Sequence, residues 1–385
     1  MRIVLGNSSL AQYPEGGGLW SWILQYPLGL KDLGHDLLWI ELMRSAGSRD
    51  TDLRRIRDFY DRLAPYNIGD NCAILLFKQD LESQPFEECE AFGARTKANV
   101  RDFIRSADLL LDVCCAIRQP LLSMFKWRAL LDFDPGHLQV SAPFGDLKIP
   151  DHDVFLTIGA RINAPGSEIP TLGLKWRTFE GCVYMPMWRI APDPGPLAPF
   201  SSITQWTWEI LPWRDGTLSV SKREAYLKYA DVPRLARRPF ELAANIGPDD
   251  PGLDRQRLRD GGWTLVEPHA VAPTPVRYED YIHASRAEFG CPKPIHLALR
   301  TGWVSERSLA YLASGRPVLA EDTGFTERIP TGAGLIAFHN VEEAVAGVAE
   351  IDGNYVRHSR AAREMAEDLF DSRKLLPPML AACEP

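Results

Sequence analysis

The sequence predicts an α/β protein built from two Rossmann-like halves. Short apolar runs of strand length alternate with helical patterns through most of the chain, which is the rhythm of parallel sheets made from strand–helix–strand units. The length, 385 residues, allows two domains that each bury a core. In the C-terminal half, two loops rich in small and charged residues lie beside strand ends, where open α/β sheets bind their ligands.

The first half opens with the strand Arg2 to Leu5. A loop ending in Gly16-Gly17-Gly18 follows, then a helix from Leu19 to about Leu33, a turn at Gly34-His35, and a strand from Asp36 to Ile40. This is a βαβ unit, although its loop lacks the G-x-G-x-x-G spacing of a dinucleotide site. Cys72 to Phe77, Asp108 to Val113, Ala129 to Phe133 and Val154 to Ile158 read as further parallel strands. Because function follows strands, Cys114-Cys115, Asp134, His137 and Arg161 belong to the ligand edge. Asp151-His152-Asp153 precedes its strand and is expected to be structural. The tryptophans Trp20, Trp22, Trp127 and Trp176 are core residues by default.

Four prolines between Ile190 and Phe200 exclude a helix or a central strand. Residues 201–235 carry Trp206, Trp208 and Trp213 and then a charged helix around Lys222 to Tyr229, so a domain boundary is placed near 235. Beyond it come the strand Phe240 to Ile246, a polar helix, the strand Trp263 to Val266 and a helix from Tyr278 to Arg286. Phe289 to Leu299 reads as a buried edge or strand, Leu335 to Phe338 as a strand, Val341 to Ile351 and Tyr355 to Leu369 as helices, and Ser372 to Ala382 as a terminal helix. The expected division is 1–235, 236–365 and 366–385.

Composition narrows the function. Hydrophobic residues at 45% and charged residues at 24% are ordinary for a globular protein. A net charge of −8 without a basic run argues against duplex nucleic acid or an anionic membrane as main partner. Seven cysteines without C-x-x-C or zinc spacing fit a reduced, cytoplasmic setting. MRIVLGNSSL reads as a strand and not as a signal peptide. No apolar stretch approaches the ~18 residues of a membrane span.

The most informative stretch runs from Arg300 to Phe325. Ser305 can cap a helix whose apolar residues Leu309, Leu312 and Ala313 fall on one face, and Gly315 ends it. Val318-Leu319-Ala320 is then a strand buried on both faces, followed by the loop Glu321-Asp322-Thr323-Gly324. The helix N-terminus offers free N–H groups and partial positive charge, which suits an anion, and Arg300 and Arg307 can take the charge of a diphosphate. The bland alternative is a capped helix between solvated arginines.

These residues resemble the nucleotide-sugar segment of GT-B glycosyltransferases, and in particular a bacterial family sharing GW-x-S-[DE]-R-S, YLA-x-GRPV and DTGF. Asp132-Phe-Asp-Pro-Gly136, Val154 to Ile158, Gly262-Trp263 and Ser285-Arg286-x-Glu288-Phe289 extend the resemblance over most of the chain. It implies the GT-B fold, two Rossmann-like domains facing across a cleft, with a terminal helix crossing back to the first domain. It implies transfer of a sugar from a nucleoside diphosphate donor to a small-molecule or glycan acceptor, with no further cofactor. Donor contacts are then expected from Gly17, Gly18, Arg300, Ser305, Glu306, Arg307, Asp322, Thr323 and Gly324. Many retaining GT-B enzymes bind ribose through a glutamate at the position of Ala310, so here either Glu306 or another loop holds the ribose, or the donor is bound differently.

Asp132 and Asp134 have D-x-D spacing but lie in the wrong half for a metal-bound diphosphate, so metal-independent transfer is expected. An inverting enzyme needs a base near the acceptor hydroxyl, for which Asp134 and His137 are the candidates. A retaining enzyme needs none, and His137 can equally be a turn histidine. A GT-B-fold protein that binds a nucleotide or sugar, or acts as an accessory subunit, without transfer is a second reading. A third is a nucleotide-sugar epimerase using Glu321, His269 and His339.

Overall fold

The computed structural model describes residues 1–145, 147–250 and 252–384. Strands β1 (Arg2–Asn7), β2 (Asp36–Arg44), β3 (Cys72–Phe77), β4 (Glu90–Gly93), β5 (Leu109–Val113), β6 (Arg128–Asp132), β7 (Val154–Thr157) and β8 (Trp176–Thr178) form one sheet, in the order β4-β3-β2-β1-β5-β6-β7-β8. All pairings are parallel except β3 with β4. In β1, Ile3 and Leu5 enter one core and Val4 the other; Leu109, Leu110 and Leu111 of β5 do the same. Burial on both faces is why these strands read as unbroken apolar runs.

The second sheet contains β9 (Phe200–Gln205), β12 (Phe240–Asn245), β13 (Trp263–Val266), β14 (Ala287–Gly290), β15 (Val318–Glu321) and β16 (Leu335–Phe338), in the order β13-β12-β9-β14-β15-β16 and parallel throughout. Between β9 and β12, β10 (Ile210–Trp213) and β11 (Gly216–Ser219) pair as an antiparallel hairpin. Phenylalanines stack across this sheet, Phe200 on Phe240 and Phe289 on Phe338, each pair with ring centroids 5.2 Å apart. Apart from the edge strands β4 and β8, both sheets follow the doubly wound order 3-2-1-4-5-6.

The second sheet takes its central strand, β9, from upstream of residue 235, where composition placed the boundary. The connection between sheets is the stretch from 179 to 199, which holds the prolines. Phe289 to Leu299 is also not one element. Pro292 and Pro294 interrupt it after β14, and Pro294 starts the helix Pro294–Ala298. The terminal helix Ser372–Ala381 lays Leu376, Met379 and Leu380 into the core of the first sheet, and Arg373 pairs with Asp32 at 2.7 Å. His152 lies buried before β7, bonded to Asp112 at 2.9 Å, while Asp153 pairs with Arg128 at 2.8 Å.

Candidate functional site

Loops that follow strands of the first lobe meet loops that follow strands of the second. Asp134, after β6, binds Lys293, after β14. The Arg161 amide donates to Thr301 O at 3.2 Å, and Glu180 pairs with Arg328 at 2.5 Å. The Gly17 amide donates to Ala272 O at 3.1 Å; a Cβ there would lie 2.3 Å from that oxygen, so only glycine permits this approach.

On the second lobe, the helix Glu306–Ala313 points its N-terminus at this junction, with Ser305 Oγ accepting from the Arg307 amide at 3.3 Å. Leu309, Leu312 and Ala313 are buried beneath it. Arg307 reaches inward: its Nε donates to Glu288 Oε1 at 2.5 Å and its Nη1 to Ile203 O at 2.8 Å. Burial opposes the Arg307 charge, but the fully buried Glu288 more than offsets it and raises its pKa. Next to this pair lies a small recess walled by Cys291, Trp303, Ser305, Arg307, Glu321 and Phe325 among others.

Three cations converge on the junction. Besides Arg307 they are Lys293, paired with Asp134, and Lys222, the residue capping the helix Arg223–Lys228. Lys222 Nζ sits 5.7 Å from the centroid of the Trp303 ring and has no hydrogen-bond or carboxylate partner among the described residues. Desolvation, then Arg307 and Lys293, pushes its pKa down to about 7. His296 stacks on Trp303 with centroids 4.4 Å apart and is held neutral, its pKa pushed to about 3 by burial and the neighbouring cations against the pull of Asp134. Sequence reasoning missed Lys222, Lys293, His296 and Glu288 as site residues. Lys222 was hidden because residues 201–235, with the charged helix around Lys222 to Tyr229, read as part of the first domain, and the strand before that helix was not legible as part of the second lobe.

The expected donor residues separate into two groups. Ser305, Glu306 and Arg307 are brought together at the helix start. Arg300 is not: its side chain is 61% exposed and pairs with Glu327 at 2.8 Å. Asp322 closes its own turn, accepting from Gly324 N at 2.9 Å and Thr326 Oγ1 at 2.7 Å, and Thr323 Oγ1 donates to Trp303 O at 2.6 Å. Gly324, at φ +99°, packs under Arg161. Gly18 rests on the Tyr278 ring, so Gly17 and Gly18 serve contact between the lobes. Ala310 is buried in an apolar cluster with Val183, Trp188 and Tyr278, which explains why no carboxylate stands there.

Asp134 and His137 lie at the junction as a coupled pair, 2.8 Å apart, and His137 Nε2 meets Glu209 at 2.6 Å. Burial works against the imidazolium, but the two carboxylates outweigh it and raise the His137 pKa. Although burial opposes its charge, Asp134 is held well below the usual carboxylate range by Lys293, His137 and His296. A ring with both nitrogens engaged by carboxylates, next to so weak a base, does not suit either expected proton acceptor. Asp132 turns away to Thr157 and Gln139, so the D-x-D spacing does not bring its carboxylates onto common partners. Glu321 is taken by Lys228 and Tyr229, which also reach the His339 carbonyl; the His339 ring lies against Glu343 and Asp322, and His269 approaches the Glu15 carbonyl.

No protein-family model and no curated protein matches the sequence. Solved structures match over nearly the whole chain. An alpha-glucosyltransferase in complex with UDP and a DNA 13-mer superposes with a TM-score of 0.60 at 10% identity, covering 100% of this chain and 99% of its own. HepE from Anabaena, in complex with UDP and glucose, gives 0.57 at 12% identity over 99% and 100%. Sucrose-phosphate synthase from Thermosynechococcus elongatus gives 0.56 at 10% over 99% and 98%. The chain has the GT-B fold. In GT-B terms the junction is the cleft between the two lobes, and the Glu306 helix faces into it from the second. No helix among the described residues is long and apolar enough to cross a membrane.

Proposed function

We propose that this GT-B protein is a cytoplasmic glycosyltransferase that moves a sugar from a nucleoside diphosphate to a small-molecule or glycan acceptor without a metal. The observation that carries the reading is the unpaired Lys222 beside Arg307 at a helix N-terminus on the C-terminal edge of the second sheet. A diphosphate there would find the Lys222 ammonium, the free side of the Arg307 guanidinium and the first amides of the helix. Those groups stabilise the charge that develops as the sugar leaves, which is the electrostatic task a metal performs in other transferases.

The solved neighbours that carry UDP or UDP with glucose support the nucleotide-sugar class. One of them holds DNA, but the net charge of −8 here favours a neutral acceptor over a polyanion. Contacts between the lobes at Asp134, Arg161, Glu180 and Gly17 would close the cleft and keep water from the activated sugar.

The test is a melting-shift panel with UDP, GDP, dTDP, ADP and CMP, with magnesium and with EDTA, on the wild type and Lys222→Met. Stabilisation by one diphosphate, equal in EDTA and lost in the variant, is the expected result. Stabilisation by none of them would defeat the donor assignment. Lys222 is a cleaner probe than Arg307, whose removal strands Glu288.

A further inference from the structure

Glu306 is the first residue of the helix that faces the cleft, and its carboxyl group contributes nothing to holding an anion. Its Oε1 is buried with no hydrogen-bond partner among the described residues. Leaving a carboxyl oxygen bare costs stability, so the position asks for a function. Glu288 and Glu321 also keep one bare oxygen, but each is neutralised through the other by Arg307 or Lys228. Glu306 has no such cation bonded to it.

Glu306 stands where the two lobes meet. The Glu306 helix rests on the helix Gly17–Asp32 of the first lobe. The groups that act on its carboxyl are Asp134 from the loop after β6, Lys222 from the start of the Arg223–Lys228 helix and Lys293 from the loop after β14. Tyr26 of the first-lobe helix and Tyr278 of the helix Pro275–Ala284 face it as well.

We propose that Glu306 is the proton acceptor of the transfer step, an assignment that rests on the glycosyl-transfer reading above. As the acceptor hydroxyl oxygen bonds to the anomeric carbon, its proton passes to the Glu306 carboxylate. The bond from that carbon to the diphosphate oxygen breaks, and the nucleoside diphosphate departs with the electron pair. Burial, reinforced by Asp134, raises the Glu306 pKa to about 7 against the opposing pull of its own amide, Lys222 and Lys293. A base poised there is about half ionised at pH 7 and more so above it, yet basic enough to take the proton. Asp134, whose pKa is driven the other way, is not.

The experiment measures nucleotide release from UDP-, GDP-, ADP- and dTDP-glucose across a panel of sugars, phenols and water, together with calorimetric binding of the four nucleoside diphosphates. It uses the wild type, Glu306→Gln and Glu306→Asp. Glu306→Gln is expected to slow release by about 10²–10⁴-fold while keeping diphosphate affinity within about twofold, and Glu306→Asp to restore part of the rate. The wild-type rate falls about tenfold per pH unit below pH ~7, where the carboxylate is protonated, and Glu306→Gln loses that limb. A merely structural role would lower the melting midpoint and leave the limb in place.

Release by Glu306→Gln within about tenfold of wild type with the limb intact would overturn the proposal, and so would parallel loss of diphosphate binding. Wild type that binds a diphosphate but releases none from its sugar with any acceptor would also overturn it, with the donor site left standing. Failure to bind any diphosphate would remove the transfer reading and this proposal with it.

Discussion

The two lobes share one strand order but use buried carboxylates in opposite ways. In the first, Glu41 on β2, Asp112 on β5 and Asp132 on β6 are fully buried, and besides side-chain partners (Asn7, His152, and Thr157 with Gln139) each accepts an amide of a neighbouring loop. Glu41 accepts the Leu10 and Ala11 amides at 2.6 and 3.0 Å, Asp112 the Ile117 amide at 3.0 Å, and Asp132 the Asp134 amide at 3.0 Å. In the second, Glu288 and Glu321 hold Arg307 and Lys228, and Lys222, over the Trp303 ring, has no carboxylate partner among the described residues. The first lobe uses its buried carboxylates to fix loop shape as well as to hold His152, and the second uses them to orient cations, which is why the proposed anionic donor is assigned to the second.

The largest effect that would break this comparison is on the Arg307–Glu288 pair. Arg307→Ala leaves a buried carboxylate uncompensated and is expected to cost ~3–5 kcal/mol of stability in urea unfolding. A loss below ~1 kcal/mol would mean that the pair is not dry.

The first-lobe counterpart is His152 with Asp112. His152→Ala is expected to cost ~2–4 kcal/mol, by the same mechanism, while diphosphate affinity stays unchanged. Burial lowers and Asp112 raises the His152 pKa, and the rise wins. Its stabilising contribution is therefore complete below pH ~6.5 and fades as pH climbs through the raised value. Asp112→Asn should flatten that part of the stability-versus-pH curve. A curve unchanged from wild type would show that the imidazolium is not the stabilising form.

Smaller still is Asp322→Ala, which removes the acceptor that closes the turn before Gly324. About 1 kcal/mol of stability should be lost. Nucleotide affinity should fall only as far as the Trp303 loop, tied down through Thr323, loosens. Arg300→Ala is expected to do least: an exposed pair with Glu327 contributes ~0–1 kcal/mol, and diphosphate affinity should not change. A loss of binding in this variant would return Arg300 to the donor site.

Much of the fold was legible because its signals are local. Apolar runs such as Cys72–Phe77 and Val318–Glu321 announce strands, and Ser305, Leu309 and Leu312 announce the helix between the two C-terminal loops. β9 was not legible. Its residues Ser201 and Ser202 are buried by bonding to hydroxyls, Ser201 with Tyr311 at 2.7 Å and Ser202 with Tyr226, partners that lie 110 and 24 residues along the chain. A polar run of this kind looks like a loop until its distant partners are known, and misreading it moved the domain boundary and concealed Lys222. Arg300 and Arg307 were equivalent in sequence because both flank the same turn. Only the position of Glu288 on the neighbouring strand turns one inward, while the other remains in solvent. Glu306 was found as a position but not as an acid, since its burial depends on the first lobe closing over it.

The most direct test of the central claim is the proton count on diphosphate binding, measured by calorimetry at pH 8 in buffers of different ionisation enthalpy. Lys222, with its pKa near 7 in the empty site, is mostly neutral at pH 8 and should regain its charge against the diphosphate. Wild type should therefore take up about one proton, and Lys222→Met should take up none while binding about 10- to 100-fold more weakly. Equal affinity and equal proton uptake in the two proteins would place the diphosphate elsewhere and contradict the account.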